Sequence, residues 1–271
     1  MNNIYELINK RRSVRTFSEK EVTKEELNKI QNYFKECTNP FNVNTEFVIF
    51  DNLEKNIKVP VITNGRYYIL GKVKKEANNA VAFGYSFEKL VLFLESIGLS
   101  TTWIAGTMDR ASFENELNLN SDEIMPSITP IGYEAKKMSM KEVLMRKGIG
   151  ADKRIDFDKL FFYHSFDNSL NMDESNELYK AFNSVRLAPS AVNRQPWRLV
   201  KEGNTVHFFK KGNKGYVNKE GFDLQKVDIG IALCHFDLVL KELGYNTEIF
   251  KDETKKDIDD LEYIVSLKYS K

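Results

Sequence analysis

Cysteine and histidine are scarce in this chain of 271 residues, which has two of the first and three of the second. Cys37 and Cys234 lie far apart and form no Cys-x-x-Cys pair. That argues against a disulfide framework or a thiolate zinc site and fits a reducing cytoplasm. His164, His207 and His235 show no metal-ligand spacing. His207 falls in a charged strand and His235 on a long helix beside Cys234, positions that suit structural histidines. Net charge is equally small, with 40 Lys and Arg against 39 Asp and Glu. A neutral chain has no global field for nucleic acid or an anionic membrane, so any anion site must be local. No uninterrupted apolar run approaches the roughly 18 residues of a membrane span. The opening MNNIYELINKRRSV has no apolar signal-peptide core. The expectation is a cytoplasmic protein that handles a small molecule.

What is present is core-forming material: 42% of residues are hydrophobic and 12% aromatic, enough for a globular fold of one large domain or two small ones. Periodicity predicts a first helix over residues 3–10. Thr23 followed by Glu26 has the form of a capping box and launches a second helix. Strands are expected at 46–51 and 66–73, the latter after an Asn64-Gly65 turn. The strongest helix, 77–96, is apolar over much of its circumference and therefore central. It ends at Ile97-Gly98, a glycine C-cap. A helix near 111–117 and a strand over 127–133 close the half.

The second half repeats the plan, with helices at 179–187 and 228–243 and strands at 197–201, 205–210 and 262–269. Residues 81–99 align without a gap on 227–245, setting Gly84 on Gly230 and Gly98 on Gly244. Upstream, Phe47 falls on Trp197. Amphipathic helices resemble one another, but shared glycines within a shared element order point to an internal duplication. Two copies of one unit in one chain are what a fused homodimer looks like.

Two segments carry chemistry. Arg11, Arg12, Ser13 and Arg15 follow the first helix directly; three guanidiniums and a hydroxyl could converge on one phosphate. The alternative is a basic, solvated helix end favoured by the helix dipole. Lys153 and Arg154 either add charge to the same anion or lie in an exposed linker. The second segment, APSAVNRQPW over 188–197, is fixed as a turn by Pro189 and Pro196. Ser190, Asn193 and Gln195 suit the edge of a planar heterocycle, although a polar helix stop would also account for the prolines. The matching stretch CTNPFNVN in the first half lacks the serine and the Gln-Pro-Trp.

With RRSVRTF, APSAVNRQPW, GLSTTWIAGT (98–107) and PIGY (130–133) together, the chain resembles the FMN-dependent nitroreductase family, in the branch where two nitroreductase-like halves are fused. The resemblance implies an α+β fold with halves at 1–155 and 156–271, forming a pseudo-dimer of mostly antiparallel sheets flanked by helices. It implies Arg11, Arg12, Ser13, Arg15, Lys153 and Arg154 around the FMN phosphate and ribityl chain. Pro189, Ser190, Asn193 and Gln195 would lie along the isoalloxazine, and the backbone N–H groups of Ala105 and Gly106 near flavin N5 and O4. A small residue followed by glycine permits such close approach. No second RRSxR precedes the second half, so one flavin per chain is expected. The chain would act as a monomer without nucleic acid, membrane or metal. The implied reaction is two-step hydride transfer from NADH or NADPH to a nitroaromatic or quinone-like acceptor, with no obligatory acid or base residue. There is no Rossmann glycine fingerprint, so nicotinamide would bind only transiently. A flavin-binding or degenerate scaffold without turnover is the alternative. Three or four charge-assisted bonds to phosphate contribute roughly 5–10 kcal/mol, against an association cost of at least about 4 and a micromolar requirement of about 8. The flavin ring must therefore be buried as well.

Overall fold

Described over residues 3–219 and 221–271, the computed structural model runs in chain order through α1 (Ile4–Lys10), α2 (Lys24–Tyr33), β1 (Thr45–Asp51), β2 (Tyr67–Lys74), α3 (Asn79–Ser96), β3 (Ser100–Thr101), α4 (Arg110–Leu117), β4 (Glu123–Ile124) and β5 (Ile128–Gly132). There follow α5 (Met140–Ile149), β6 (Phe161–Tyr163), β7 (Ser165–Ser169), α6 (Tyr179–Leu187), β8 (Trp197–Glu202), β9 (Thr205–Lys211), α7 (Leu224–Glu242), β10 (Asn246–Phe250) and β11 (Leu261–Ser270). The expected elements are present within a few residues, and their local causes can be seen. The Thr23 hydroxyl accepts from the Glu26 N–H while the Glu26 carboxylate accepts from the Thr23 N–H, the reciprocal bonds of a capping box. Gly98 leaves α3 with φ 81°, a conformation only glycine adopts without strain.

The chain divides into two units, residues 10–151 and residues 1–9 with 152–271. In the first, the sheet order is β1-β2-β5-β3 with β4 also on β2, and every pairing is antiparallel. α3 packs on this sheet, and Phe83 and Phe87 are fully buried against Phe47 and Trp103. A second cluster joins Tyr68, Leu70, Ile104, Phe113 and Ile128 under α4.

In the other unit the order is β10-β11-β9-β8-β6-β7, antiparallel except for β6 beside β8. α7 carries its core: Ile229, Leu233, Phe236 and Leu240 are wholly buried. The N-terminal helix is tied to this unit, since the Ile4 and Tyr5 N–H groups donate to Glu242 and Tyr5 Oη accepts from Asn183. Each unit thus contains a hairpin and a long apolar helix, and four strands of each sheet lie in the orders β1-β2-β5-β3 and β8-β9-β11-β10.

Both cysteines are buried free thiols, and burial pushes Cys37 up to about 12, well away from a reactive thiolate. His207 shares a 2.7 Å hydrogen bond with the Ser266 hydroxyl, and His235 faces the Ser184 carbonyl at 2.9 Å; both are interior structural groups. Among the described residues no His, Cys, Asp and Glu cluster could hold a metal, and no helix is long and apolar enough to cross a membrane.

Candidate functional site

In the unit spanning 10–151, the arginine segment leaves α1 and pairs with β3. Ser13 bridges Thr101 in parallel, and the Val14 N–H donates to the Thr101 carbonyl at 2.9 Å. Phe17 and Arg15 exchange backbone bonds with Thr63, at 3.0 and 2.8 Å. The side chains of 11–15 therefore project from a backbone that is already fixed.

Each arginine of the segment lies beside an acid. Arg11 Nε is 3.7 Å from Glu88 Oε1, with side chains only 4% and 0% exposed. The same carboxylate accepts from Trp103 Nε1 at 2.8 Å. Half-exposed Arg12 pairs with Glu134. Arg15 is buried with Glu142 and Arg146 as its charged neighbours; burial lowers its pKa, Glu142 opposes this, and Arg146 adds to it. It stays charged, because guanidinium is not deprotonated in proteins. Arg146 also donates to the Ser13 carbonyl at 3.2 Å. Glu142 accepts from the Thr16 hydroxyl at 2.7 Å, which ties α5 to the same segment. Four guanidiniums against three carboxylates leave one positive charge in excess.

Three buried donors on this segment have no hydrogen-bond partner: Arg11 Nε, Arg12 Nη1 and Arg15 Nη1. Buried donors are rarely left so. An anion with several oxygens would satisfy them, with the Ser13 hydroxyl as a further donor. The residues fit a phosphate group.

Farther along the same unit, Ile104 makes a two-bond bridge to Ile128, and residues 105–108 then bend away. The Ala105 carbonyl accepts from Arg110 Nη2 at 2.6 Å. In a trans peptide the C=O and the next N–H point in opposite directions. Arg110 thus aims the exposed Gly106 N–H away from itself. A Cβ at Gly106 would meet nothing within 4 Å, so packing within the protein does not demand glycine there.

In the unit containing 152–271, the other segment is a strained turn. α6 ends at Leu187, and Ala188, preceding Pro189, is already extended at ψ 144°. Val192 (φ 51°), Asn193 (φ 55°) and Gln195 (φ 49°) are all left-handed. Asparagine tolerates this region, but for β-branched Val192 it is an outlier worth about 1–3 kcal/mol. Hydrogen bonds hold the run in place. The Gln195 N–H donates to Ser190 Oγ at 2.9 Å, and Gln195 Oε1 accepts from the Ile155 N–H at 2.9 Å. Asn193 Nδ2 donates to the Lys153 carbonyl at 2.9 Å, Arg154 reaches Asn193 Oδ1 at 3.4 Å, and Arg198 reaches the Gln195 carbonyl at 3.1 Å. The Ala191 N–H donates to Asp228 Oδ1 on α7 at 3.0 Å. Val192 is 53% exposed, so little packing is at stake there. Val192→Asn should therefore stabilise the protein by about 1 kcal/mol through relief of strain. A urea midpoint that does not rise would remove strain as the explanation.

The structure thus joins Lys153 and Arg154 to Asn193 and Gln195, with the Lys153 side chain itself exposed. Pro189 and Ser190 open this turn, half-buried. Gln195 is buried and its amide is committed to residues 153–155, which makes it a brace of the turn. Four residues escaped the sequence reading: Arg146, Glu142, Arg110 and Asp228. The Arg110 and Asp228 contacts depend on the tertiary fold. The other two belong to a helix whose pattern is inverted, with Met140, Val143 and Leu144 exposed while Glu142 is buried.

A family model described as "Putative TM nitroreductase" matches residues 3–240. Among solved structures, a "putative nitroreductase" from Thermotoga maritima is 25% identical, with a TM-score of 0.64 over 98% of this chain and 93% of that one. An FMN-dependent nitroreductase from Clostridium difficile is 24% identical, with a TM-score of 0.42 over 52% of this chain and 94% of that one. An iodotyrosine deiodinase bound to FMN and 3-iodo-L-tyrosine is 19% identical, with a TM-score of 0.41 over 50% of this chain and 92% of that one. No curated protein matches the sequence. Its α+β architecture, its two mostly antiparallel sheets and a family match over most of its length place the chain in the nitroreductase family.

Proposed function

We propose that this protein is an FMN-dependent oxidoreductase that takes hydride from NADH or NADPH and passes it to nitroaromatic or quinone-like acceptors. The observation that carries the reading is the set of unsatisfied buried guanidinium donors at Arg11, Arg12 and Arg15, in a chain of the nitroreductase family. FMN, when bound, supplies reversible two-electron chemistry that no side chain provides. Arg15, with Arg146 as a charged neighbour and Ser13 two residues before it in the chain, would hold the phosphate. Arg110, by fixing the Ala105 carbonyl, presents the Gly106 N–H as a backbone donor toward the flavin ring. In the other unit, the braced turn from Pro189 to Gln195 holds the Ser190 hydroxyl as a further candidate donor. None of these groups needs to exchange a proton with bulk water, so the protein's part is binding, orientation and electrostatics.

The matching strand orders of the two units support descent from a duplicated unit, and one arginine segment per chain supports one flavin per chain. A non-catalytic scaffold is the competing reading, favoured by the acids already set against each arginine. Purified protein, or protein mixed with FMN, should be yellow, bleach on addition of NADH or NADPH, and recolour with menadione. Protein that takes up FMN but does not bleach with either nucleotide is a binder without turnover; protein that takes up none is a scaffold.

A further inference from the structure

Asp228 on α7 is a buried acid that the proposed chemistry does not use. The residue is 4% exposed. Oδ1 accepts the Ala191 N–H at 3.0 Å, and Oδ2 is buried with no hydrogen-bond partner. Ala191 immediately precedes the left-handed Val192 and Asn193, and Ser190 before it is extended (φ −146°, ψ 159°). Other hydrogen bonds that brace the turn come from the turn itself, from residues 153–155, from adjacent Arg198 and from Tyr216, whose hydroxyl accepts from Arg194 Nε at 3.2 Å. The Asp228 bond ties it to the central helix, whose residues 227–237 are all buried.

We propose that Asp228 is a positioning residue: its carboxyl oxygen pins Ala191 to α7 and so holds residues 190–195 in the strained shape that binds the flavin ring. The first half of this stands on the geometry alone, and the second rests on the proposed function. The surroundings favour the uncharged form of the carboxyl. Burial pushes the carboxyl well above its usual range, the Ala191 bond opposes this, and the negative charge of Asp223 at the start of the same helix adds to it. One hydrogen bond does not compensate a fully desolvated carboxylate. A neutral acid needs only a carbonyl-like oxygen at Oδ1, and an amide supplies the same atom.

The test compares the full-length wild type with Asp228→Asn, Asp228→Ala and Ala191→Pro. The proline variant deletes the donor from the turn side and leaves the core untouched; an extended Ser190 is the conformation a following proline prefers. Amide hydrogen exchange is measured without flavin over peptides covering 189–197, and FMN affinity is measured by fluorescence titration. In Asp228→Ala and Ala191→Pro the turn should exchange about tenfold faster and FMN should bind about tenfold more weakly, the scale of one lost hydrogen bond. Asp228→Asn should match the wild type in both. Wild-type exchange at the turn in both disruptive variants overturns the proposal, whatever flavin does. Faster exchange with unchanged FMN affinity overturns the ring-binding half. An Asp228→Asn variant that behaves like Asp228→Ala overturns the uncharged acceptor and assigns the role to the acid itself. Failure of the wild type to bind FMN defeats the proposed function, and the exchange measurement still decides the strut.

Discussion

Arg15→Ala should abolish the preference of this protein for FMN over riboflavin. The two ligands share ring and ribityl chain and differ by the phosphate, so the ratio of their affinities isolates phosphate binding from any general loosening of the fold. Arg15 is the arginine of its segment best placed to dominate that ratio. Arg11 faces the wholly buried Glu88, and Arg12 is ion-paired to Glu134. Arg15 shares its one acidic neighbour with a second cation, Arg146, and keeps Nη1 buried and unsatisfied. A hydrogen bond to a charged group contributes about 1.5–3 kcal/mol, so FMN should bind about ten- to a hundredfold more weakly while riboflavin is little affected. Arg15→Lys should recover part of the loss, because it restores charge without the planar fork. A ratio unchanged from wild type would refute the phosphate assignment.

The second large effect is on stability. Glu88→Ala should cost about 3–5 kcal/mol, because it leaves the buried Arg11 guanidinium without its opposing charge and takes the acceptor from Trp103 Nε1. For a chain of this size that lowers the thermal midpoint by about 10 °C. Glu88 sits on α3 beside Phe87, whose ring meets Trp103 edge-on with centroids 4.7 Å apart. The damage should therefore spread to the packing between α3 and the segment after β3. The double variant Arg11→Met, Glu88→Leu removes both charges together and should be markedly more stable than Glu88→Ala, since an apolar pair carries no desolvation penalty. If both variants melt within about 2 °C of the wild type, a shift of under roughly 1 kcal/mol, the pair has no structural weight.

These two predictions separate residues that the sequence presents as equivalents. RRSVR reads as one cationic motif, and nothing in its spacing distinguishes Arg11 from Arg15. The difference arises from what each side chain meets: α3 brings Glu88 to Arg11, while α5 brings both Glu142 and Arg146 to Arg15. α5 escaped the periodicity analysis for a physical reason. Hydrophobic patterning finds helices that bury their apolar face, and α5 exposes Met140, Val143 and Leu144 while burying a glutamate against the arginine segment. The turn at 190–195 was legible as a turn because proline restricts the backbone on both sides. Its left-handed run was not, since valine at positive φ contradicts local preference and persists only where surrounding bonds over-determine it.

Sequence alone determined most of the local elements and the family. Capping residues, apolar periodicity and proline stops act over a few residues and leave their mark in composition and spacing. Tertiary structure decided which polar groups are committed and which remain available. Gln195 and Asn193 have partners far along the chain, at Ile155 and Lys153, and Asp228 reaches back to Ala191, whereas Arg11 has an opposing charge at Glu88 and still keeps Nε without a hydrogen bond. A charge or amide in sequence is only a capacity; burial and the partner opposite determine its role. That pairing is a long-range property of the packed core, and no local pattern encodes it.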